Sequence, residues 1–557
     1  MSMGTPLAEL LGGQHTPLTD AEADAFRASG MWQNRTVRSV LADVAAEHPE
    51  RTALVGHRTG KPVVRQTYRE FDAAARHAAS ALASLGVGRG DAVALMLPNW
   101  IEYAALLFGI NELGAIYAGI PVAYGERQAA AILRRSKAKV LVIPSSWRST
   151  DHLALSRNLR AELPHLETVI VLGDAEPHAG EVSWDSLAGV PVREFEPPHP
   201  GSLCYLGFTS GTTGEPKGAM HTHDTLLYDA KALADHLGPG TCGDPMVQLV
   251  ASPIGHHTGW VWGVLFTVYL AGTGVYVDRW EPRWGVEVIR EEGITTFFGA
   301  PTFLQDMMRT DLVGDPACPL ECLVIAGSSV PRTLPAKAGE AFGAYIAPAW
   351  GMTECGITSS ATPAEPDAIQ LTDGSVVAGS AARIVDDHGR DVPPGVTGEL
   401  LMKSPGMVLG YYDRPDATDE AFLPGMWFRT GDTASLDEHG WLSLRGRSKD
   451  IIIRGGENIP VTDVETILFD HPDVLNAAVV AYPDERLGER ACAVLVVREG
   501  AKPDLAGLCE YLLAHGLSKH YLPEKLVLLD ELPVTQSGKI QKFKLRELVA
   551  SAPEGPA

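Results

Sequence analysis

A loop rich in glycine, hydroxyl side chains and one lysine is the strongest chemical signal in the sequence. It follows an apolar segment that predicts a β-strand, and it reads Thr209-Ser210-Gly211-Thr212-Thr213-Gly214-Glu215-Pro216-Lys217-Gly218. Glycines let backbone N–H groups approach a polyanion closely, hydroxyls donate to phosphate oxygens, and Lys217 supplies positive charge. The loop therefore predicts a phosphate site, with a plain flexible turn as the alternative. Its glycine spacing does not fit the Walker A pattern.

Further segments downstream contain residue types that could act on a phosphate or a carboxylate. In chain order they are Trp350-Gly351-Met352-Thr353-Glu354, Arg429-Thr430-Gly431-Asp432, Gly446-Arg447-Ser448-Lys449-Asp450, Arg454-Gly455-Gly456-Glu457-Asn458 and Pro533-Val534-Thr535-Gln536-Ser537-Gly538-Lys539. A carboxylate is the hard oxygen ligand that Mg²⁺ prefers. Taken singly, however, Glu354 could be a solvated surface group, Asp432 a turn residue and Lys539 plain surface charge.

Apolar runs around these segments predict the elements that must position them. Strands separated by helices indicate a mostly parallel sheet covered on both faces. From about residue 378 the pattern changes to short strands with glycines and prolines, which indicates a small β-rich subdomain. After Gly446 a compact α+β segment begins, and its roughly 110 residues suffice for a separate domain. The predicted strands are 91–97, 139–143, 168–172, 322–325, 382–385, 398–402, 441–444, 474–481 and 491–497, and the predicted helices are 101–113, 461–469 and 505–515.

One uncharged stretch, residues 259–277, has the length of a membrane span. Gly272 and Gly274 interrupt it, and Val275-Tyr276-Val277 resembles a short strand. These features favour a buried helix followed by a core strand.

Composition narrows the class of protein. The chain has 557 residues, with 69 acidic and 46 basic side chains and a formal charge of −23. Such an acidic chain should repel a phosphate backbone, which disfavours a nucleic-acid binder. The seven cysteines are odd in number and irregularly spaced, as expected for reduced thiols. Together with termini that lack a secretory signal or a lipidation motif, they predict a cytoplasmic protein without a membrane span.

The segments quoted above resemble the signature motifs of the adenylate-forming superfamily, which includes acyl-CoA synthetases, adenylation domains and beetle luciferases. The motifs occur in family order and span residues 205–545, and residues 97–121 resemble a further family segment. Trp350 replaces the usual Tyr of its motif, which keeps the ring and loses the hydroxyl. Lys542 stands where Arg is frequent. The resemblance implies a large N-terminal domain of layered α/β subdomains with a β-rich subdomain (1–448), and a mobile α+β C-terminal domain (449–557) with its hinge near Lys449.

The resemblance implies a two-step reaction. A carboxylate attacks the α-phosphate of ATP and releases pyrophosphate, and a thiol, usually that of CoA, then displaces AMP. Lys539 and Thr353 would contact the reacting groups, and Glu354 would hold Mg²⁺. The residues expected to bind the nucleotide or to line its site are Thr209, Ser210, Gly211, Thr212, Thr213, Gly214, Lys217, Gly327, Trp350, Gly351, Asp432 and Arg447. Gly455 and Gly456 would form the turn beside a thiol tunnel.

The acyl pocket is implied less specifically. His256, in Pro253-Ile254-Gly255-His256-His257, is the best match to the family's pocket histidine, with a structural histidine as the alternative. Segments 299–302, 326–328 and 347–350 would line the remaining walls. They contain no acidic residue, which disfavours an amino-acid substrate and favours an apolar acid that is cyclic, aromatic or medium-chain. The pattern resembles most the cyclohexanecarboxylate and short- or medium-chain acyl-CoA ligases.

Two other functions compete with an acid–CoA ligase. One keeps the adenylate but transfers it to a carrier-protein thiol or an amine. The other is a nucleotide-binding regulator with a dead site, which predicts the loss of Lys539, Glu354 or Asp432, although all three are present. The sequence leaves the acid, the acceptor and a homodimeric state open.

Overall fold

The computed structural model describes residues 5–174, 176–210, 215–366, 372–447, 452–454, 457–484 and 486–551. Its α-helices are Leu7–Leu10, Asp20–Ala28, Val37–Glu47, Tyr68–Ser84, Ile101–Glu112, Glu126–Ser136, His152–Glu162, His223–Leu237, Phe266–Tyr269, Pro282–Glu292, Pro301–Met307, Leu334–Phe342, Pro415–Ala421, Val461–Phe469, Leu505–Ala514 and Lys542–Ser551. Two 3₁₀ turns, Trp184–Leu187 and Lys519–Tyr521, and one π-helix, Thr258–Leu265, complete the helices in the described ranges.

Two large sheets, parallel over most of their strands, form the body of the molecule. One contains, in spatial order, Ser375–Val376, Gly356–Ser360, Tyr345–Met352, Cys322–Ile325, Thr296–Gly299, Val247–Val250, Thr273–Val277, Thr52–His57 and Val64–Thr67. The other contains Pro216–Thr222, Leu203–Ser210, Ile116–Gly119, Ala92–Leu95, Val140–Pro144, Thr168–Leu172 and Glu181–Ser183.

Helices cover these sheets on both faces, as predicted. One apolar cluster joins residues of both sheets to residues of Tyr68–Ser84, Ile101–Glu112 and His223–Leu237, so these helices pack between the sheets. A second cluster covers the outer face of the first sheet with helices Pro282–Glu292 and Leu334–Phe342. A third covers the outer face of the second sheet. Because both faces are buried, central strands such as Ala92–Leu95, Val140–Pro144 and Cys322–Ile325 are apolar throughout instead of alternating.

A smaller antiparallel sheet packs against that third cluster and confirms the β-rich subdomain. Its strands are Ala381–Val385, Gly398–Lys403, Phe422–Leu423, Trp427–Leu436 and Leu442–Arg447. A short ribbon, Ser146–Trp147 and Thr150–Asp151, lies elsewhere.

The C-terminal part of the chain has a sheet and apolar clusters of its own. The sheet contains Ile452–Arg454, Glu457–Ile459, Val474–Asp484, Gly488–Val497 and Lys525–Leu528. The two clusters on its faces consist of residues between 452 and 549. The model thus confirms the mixed α/β class with a large N-terminal part and a smaller C-terminal part, while the exact boundary at residue 448 stays a prediction.

The uncharged stretch at 259–277 forms a buried helix and a core strand, as predicted. Its first part is the π-helix, where a Cβ on Gly259 would lie 2.2 Å from the Pro253 carbonyl oxygen. The sequence pattern did not predict this wider winding. None of the helices in the described ranges combines the length and the apolar character that crossing a bilayer requires.

Candidate active site

The glycine- and hydroxyl-rich loop joins two antiparallel strands at the edge of the second sheet. Thr209 pairs with Lys217 across the hairpin, and Ser210 with Pro216. Gly211, Thr212, Thr213 and Gly214 lie outside the described residues. The strands therefore fix where the loop begins and ends, and they bring Thr209 and Lys217 side by side at its base.

Glu354 lies directly above this base. Its side chain is buried, and its Oε1 accepts hydrogen bonds from the Thr209 hydroxyl at 3.3 Å and from the Tyr411 hydroxyl at 3.0 Å. Burial raises the pKa of Glu354, although the two hydroxyl donors oppose the rise. A buried carboxylate whose hydrogen-bond donors are neutral would be stabilised in its ionised form by a bound cation.

Trp350 and Asp432 connect the first sheet to the β-rich sheet. The indole Nε1–H of Trp350 donates to Asp432 Oδ2 at 2.9 Å, and Arg447 Nε lies 3.3 Å from Asp432 Oδ1. Burial raises the pKa of Asp432, whereas Arg447 and the indole lower it. The Asp432 carboxylate is thus fixed from two sides, which leaves it oriented as a hydrogen-bond acceptor.

Lys539 enters the same cleft from the C-terminal part. Gly327 has a φ of +92°, the left-handed region that favours glycine, and a Cβ there would lie 3.3 Å from Lys539 Cε. The Thr302 hydroxyl donates to the Gly538 carbonyl at 3.0 Å and anchors the lysine loop. Lys539 as a whole residue is exposed.

The electrostatic surroundings of Lys539 are mixed. The enclosing protein lowers the pKa of this lysine, and the nearby Arg447 lowers it further. Glu354 and Asp432 act in the opposite direction. The structure therefore brings together the predicted lysine and both predicted carboxylates.

Thr353 is held by a buried aromatic column that the sequence did not predict. His221 Nε2 bonds the Thr353 carbonyl at 2.7 Å, and the His221 ring stacks on Tyr205 with centroids 5.5 Å apart. Burial lowers the pKa of His221 to about 4, so the ring is neutral at pH 7 and donates this bond. A Cβ on Gly207 would lie 2.4 Å from Thr353 Cγ2, which explains the glycine at that position.

A cavity of about 50 Å³ lies beside Lys539. Its lining includes the predicted Gly299, Ala326, Gly327 and Gly351, together with Trp262, Phe298, Val324 and Ile357. The histidine in the lining is His257, whereas His256 packs its ring against Tyr124, with centroids 6.3 Å apart. The role expected for His256 stays a prediction, and His257, the adjacent residue, is one that sequence reasoning missed.

Other predicted residues cannot be placed. Lys449, Gly455 and Gly456 lie outside the described residues, so the hinge and the thiol tunnel remain predictions.

The model of the AMP-binding enzyme family matches residues 41–412, and the model of the AMP-binding enzyme C-terminal domain matches residues 463–539. The chain belongs to the AMP-binding enzyme family. Between them, the two matches include every site residue placed above except Asp432 and Arg447.

Relatives of this AMP-binding enzyme activate different acids. This chain is 30% identical over 529 residues to a medium-chain fatty-acid–CoA ligase of Escherichia coli, and the match covers 94% of this chain and 92% of the relative. It is 33% identical over 543 residues to a salicyl-AMP ligase/salicyl-S-ArCP synthetase of Mycobacterium tuberculosis, covering 96% and 94%. The structure of an anthranilate CoA ligase with anthranoyl-AMP matches at a TM-score of 0.83 and 26% identity, covering 92% of this chain and 97% of the other.

We expect Trp350→Phe to raise KM for ATP about tenfold while kcat changes less than twofold, because a hydrogen bond to a charged group contributes roughly 1.5 kcal/mol. The phenyl ring keeps the stacking surface and loses only the donor to Asp432. Steady-state kinetics of ATP–pyrophosphate exchange measure the change. Trp441→Phe, directly before the strand Leu442–Arg447 of the β-rich sheet, is the matched control. An unchanged KM for ATP in Trp350→Phe would contradict the role given to this hydrogen bond.

Proposed function

We propose that this AMP-binding enzyme activates an organic carboxylic acid with ATP, releases pyrophosphate, and transfers the acyl group from the adenylate to CoA. The observation that supports this most is the convergence of Lys539, Glu354 and Asp432 in one cleft. These groups suit the two anions and the ribose that adenylation must hold together. The resemblance and the relatives support the same reaction.

The nucleotide is bound between the loop and the β-rich sheet in this proposal. Thr209, Ser210, Lys217 and the loop residues 211–214 hold the β- and γ-phosphates, and Thr353 bonds the α-phosphate. Asp432 accepts hydrogen bonds from the ribose hydroxyls, with Arg447 beside it. Trp350 and Gly351 line the site of the adenine ring. The substrate carboxylate is the nucleophile, so the protein contributes positioning and charge instead of a covalent intermediate.

The residues present fit a Mg²⁺ ion at Glu354. The ion prefers oxygen ligands, and the buried carboxylate of Glu354 receives only neutral hydroxyl donors at Oε1 among the described residues. When bound, Mg²⁺ neutralises charge on the phosphate oxygens. The chain's own part is to orient this carboxylate toward the loop through the Thr209 and Tyr411 hydroxyls.

Lys539 bridges the acid and the α-phosphate. Its side chain lines the cavity beside Gly327, and the carboxylates of Glu354 and Asp432 in the nucleotide site raise its pKa. The acid's carboxylate would therefore lie at the mouth of the cavity, with its apolar body against Trp262 and Phe298, whose rings stack 6.2 Å apart. The described lining contains no carboxylate, which supports an apolar acid over an amino acid.

For the acceptor, a carrier-protein thiol or an amine is the second candidate. The M. tuberculosis relative, whose name describes a carrier-protein synthetase, favours that alternative. The rotation about Lys449 that would present Gly455 and Gly456 to the thiol is part of the proposal, as are the cytoplasmic location and Mg²⁺ dependence. The homodimer stays a prediction.

A screen of pyrophosphate release over carboxylic acids tests the function. Cyclic, aromatic and short- to medium-chain acids are each supplied with ATP and Mg²⁺, with and without CoA. We expect at least one acid to release pyrophosphate, and CoA to accelerate AMP release with that acid. Failure to bind ATP at millimolar concentration would exclude adenylation, whereas pyrophosphate release without CoA-dependent AMP release would favour another acceptor.

A further inference from the structure

A short segment, residues 408–412, ties the phosphate loop's outgoing strand to Glu354. We name it the strap. Its backbone pairs with the edge of strand Pro216–Thr222: Leu409 N–H donates to the Met220 carbonyl at 2.9 Å, and Tyr412 N–H donates to the Gly218 carbonyl at 2.8 Å. At its other end, Val408 N–H donates to the Glu354 carbonyl at 2.9 Å. The strap thereby fixes the relative positions of two distant parts of the sequence.

Tyr411 is the strap residue whose side chain contacts both parts. It is 5% exposed, and its hydroxyl donates to Glu354 Oε1 at 3.0 Å. The Lys217 ammonium lies 4.9 Å from the centroid of its ring. The backbone N–H of Tyr411 donates to the hydroxyl of the fully buried Thr418 at 2.9 Å. This hydrogen bond fixes the backbone from which the tyrosine ring projects.

This arrangement keeps a lysine and a glutamate from neutralising each other. In the part of the chain that is described, no ion pair joins Lys217 to Glu354; the ammonium instead lies on the aromatic ring and the carboxylate takes the hydroxyl donor. A cation–π contact of this kind is weak compared with the attraction of an ammonium to a triphosphate. Both charges are therefore held in place yet remain available to a ligand.

We propose that Tyr411 is a positioning residue that sets the Lys217 ammonium and the Glu354 carboxylate apart for a metal–nucleotide ligand. The inference rests on the proposed function, since it takes the ligand to be ATP with a divalent cation. The hydroxyl acts on the cation-binding side through Glu354. The ring acts on the phosphate-binding side through Lys217.

The two contacts can be removed separately. Tyr411→Phe keeps the ring under Lys217 and removes the hydroxyl from Glu354. Tyr411→Leu removes both contacts while keeping an apolar side chain in the buried position. If Tyr411 merely filled space, Tyr411→Phe would change ATP affinity by the same factor with and without the cation.

Calorimetric titration of the full chain with ATP, in excess Mg²⁺ and in EDTA, tests the proposal without relying on turnover. We expect Tyr411→Phe to weaken binding about tenfold in Mg²⁺, the size expected for one hydrogen bond to a charged group, and to change it less than twofold in EDTA. Tyr411→Leu should weaken binding in both conditions. Tyr412→Phe, the next residue of the strap, is the matched control and should bind as wild type.

Each outcome is decisive. Unchanged Mg²⁺-ATP binding by a folded Tyr411→Phe would overturn the role of the hydroxyl, and equal weakening in Mg²⁺ and EDTA would overturn its link to the cation side. If Tyr411→Leu fails to fold, judged by its thermal melting, Tyr411→Phe alone decides. If wild-type protein binds no ATP, the proposed function itself fails, which separates that failure from the failure of this inference.

Discussion

Lys539→Ala is expected to lower ATP–pyrophosphate exchange by ~10²–10³, the typical cost of removing one group that stabilises developing charge. The same variant should still convert a synthetic acyl-adenylate and CoA to the thioester at close to the wild-type rate. The reason is its surroundings: Lys539 lines the proposed acyl cavity, and the carboxylates of Glu354 and Asp432 act electrostatically on its ammonium. That is where the acid and the α-phosphate, both anions, must meet.

The split between the two half-reactions distinguishes this role from a structural one. A lysine that only held the C-terminal part in place would affect both steps when removed. Lys544→Ala, at an exposed position soon after Lys539, is the matched control and should keep both rates within about twofold of wild type. Equal loss of both activities in Lys539→Ala would refute its assignment to adenylation.

Glu354→Gln is expected to lower adenylation by ~10²–10³, because a metal ion supplies several kcal/mol of charge stabilisation in the transition state. The amide keeps the shape of the side chain and an oxygen for the Thr209 and Tyr411 hydroxyls. It removes the charge that would hold Mg²⁺. Raising the Mg²⁺ concentration should therefore recover part of the activity, and ATP binding in EDTA should change little.

Glu181→Gln is a suitable control for this substitution. Glu181 is also a buried glutamate, paired with Arg157, but it lies in the strand at the opposite edge of the second sheet from Lys217. Its substitution should affect thermal stability and leave the Mg²⁺ dependence of pyrophosphate exchange unchanged. If Glu354→Gln showed the wild-type Mg²⁺ dependence, the metal site would have to be placed elsewhere.

The sequence predicted the large elements well because their signals are local. Runs such as 168–172 and 322–325 are apolar throughout, since both faces of their sheets are covered, and the strands Thr168–Leu172 and Cys322–Ile325 have those bounds. The helix predicted at 101–113 is Ile101–Glu112. The motif order likewise indicated that Lys539, Glu354 and Asp432 belong to one site.

Features that depend on contacts between distant segments were missed. In the π-helix at Thr258–Leu265 Gly259 lies against the Pro253 carbonyl, and no residue pattern signals the helix's extra width. Tyr411 acquires its contacts only when the strap pairs with Pro216–Thr222. His257, which directly precedes the π-helix, lines the cavity, whereas His256 packs against Tyr124. A single sequence contains no record of these long-range pairings.

The cavity beside Lys539 has a further consequence for how such enzymes diversify. Apart from the lysine, its lining comes from residues 257–357, while the lysine is delivered by a part of the chain with its own apolar interior. Mutations that reshape the wall for a new acid therefore need no compensating change in the lysine's domain. Gene recombination between the two parts could likewise exchange acid preference while preserving catalysis. The wall of the cavity and the lysine thus come from different stretches of the gene, whereas Thr353 belongs to the same stretch as the wall.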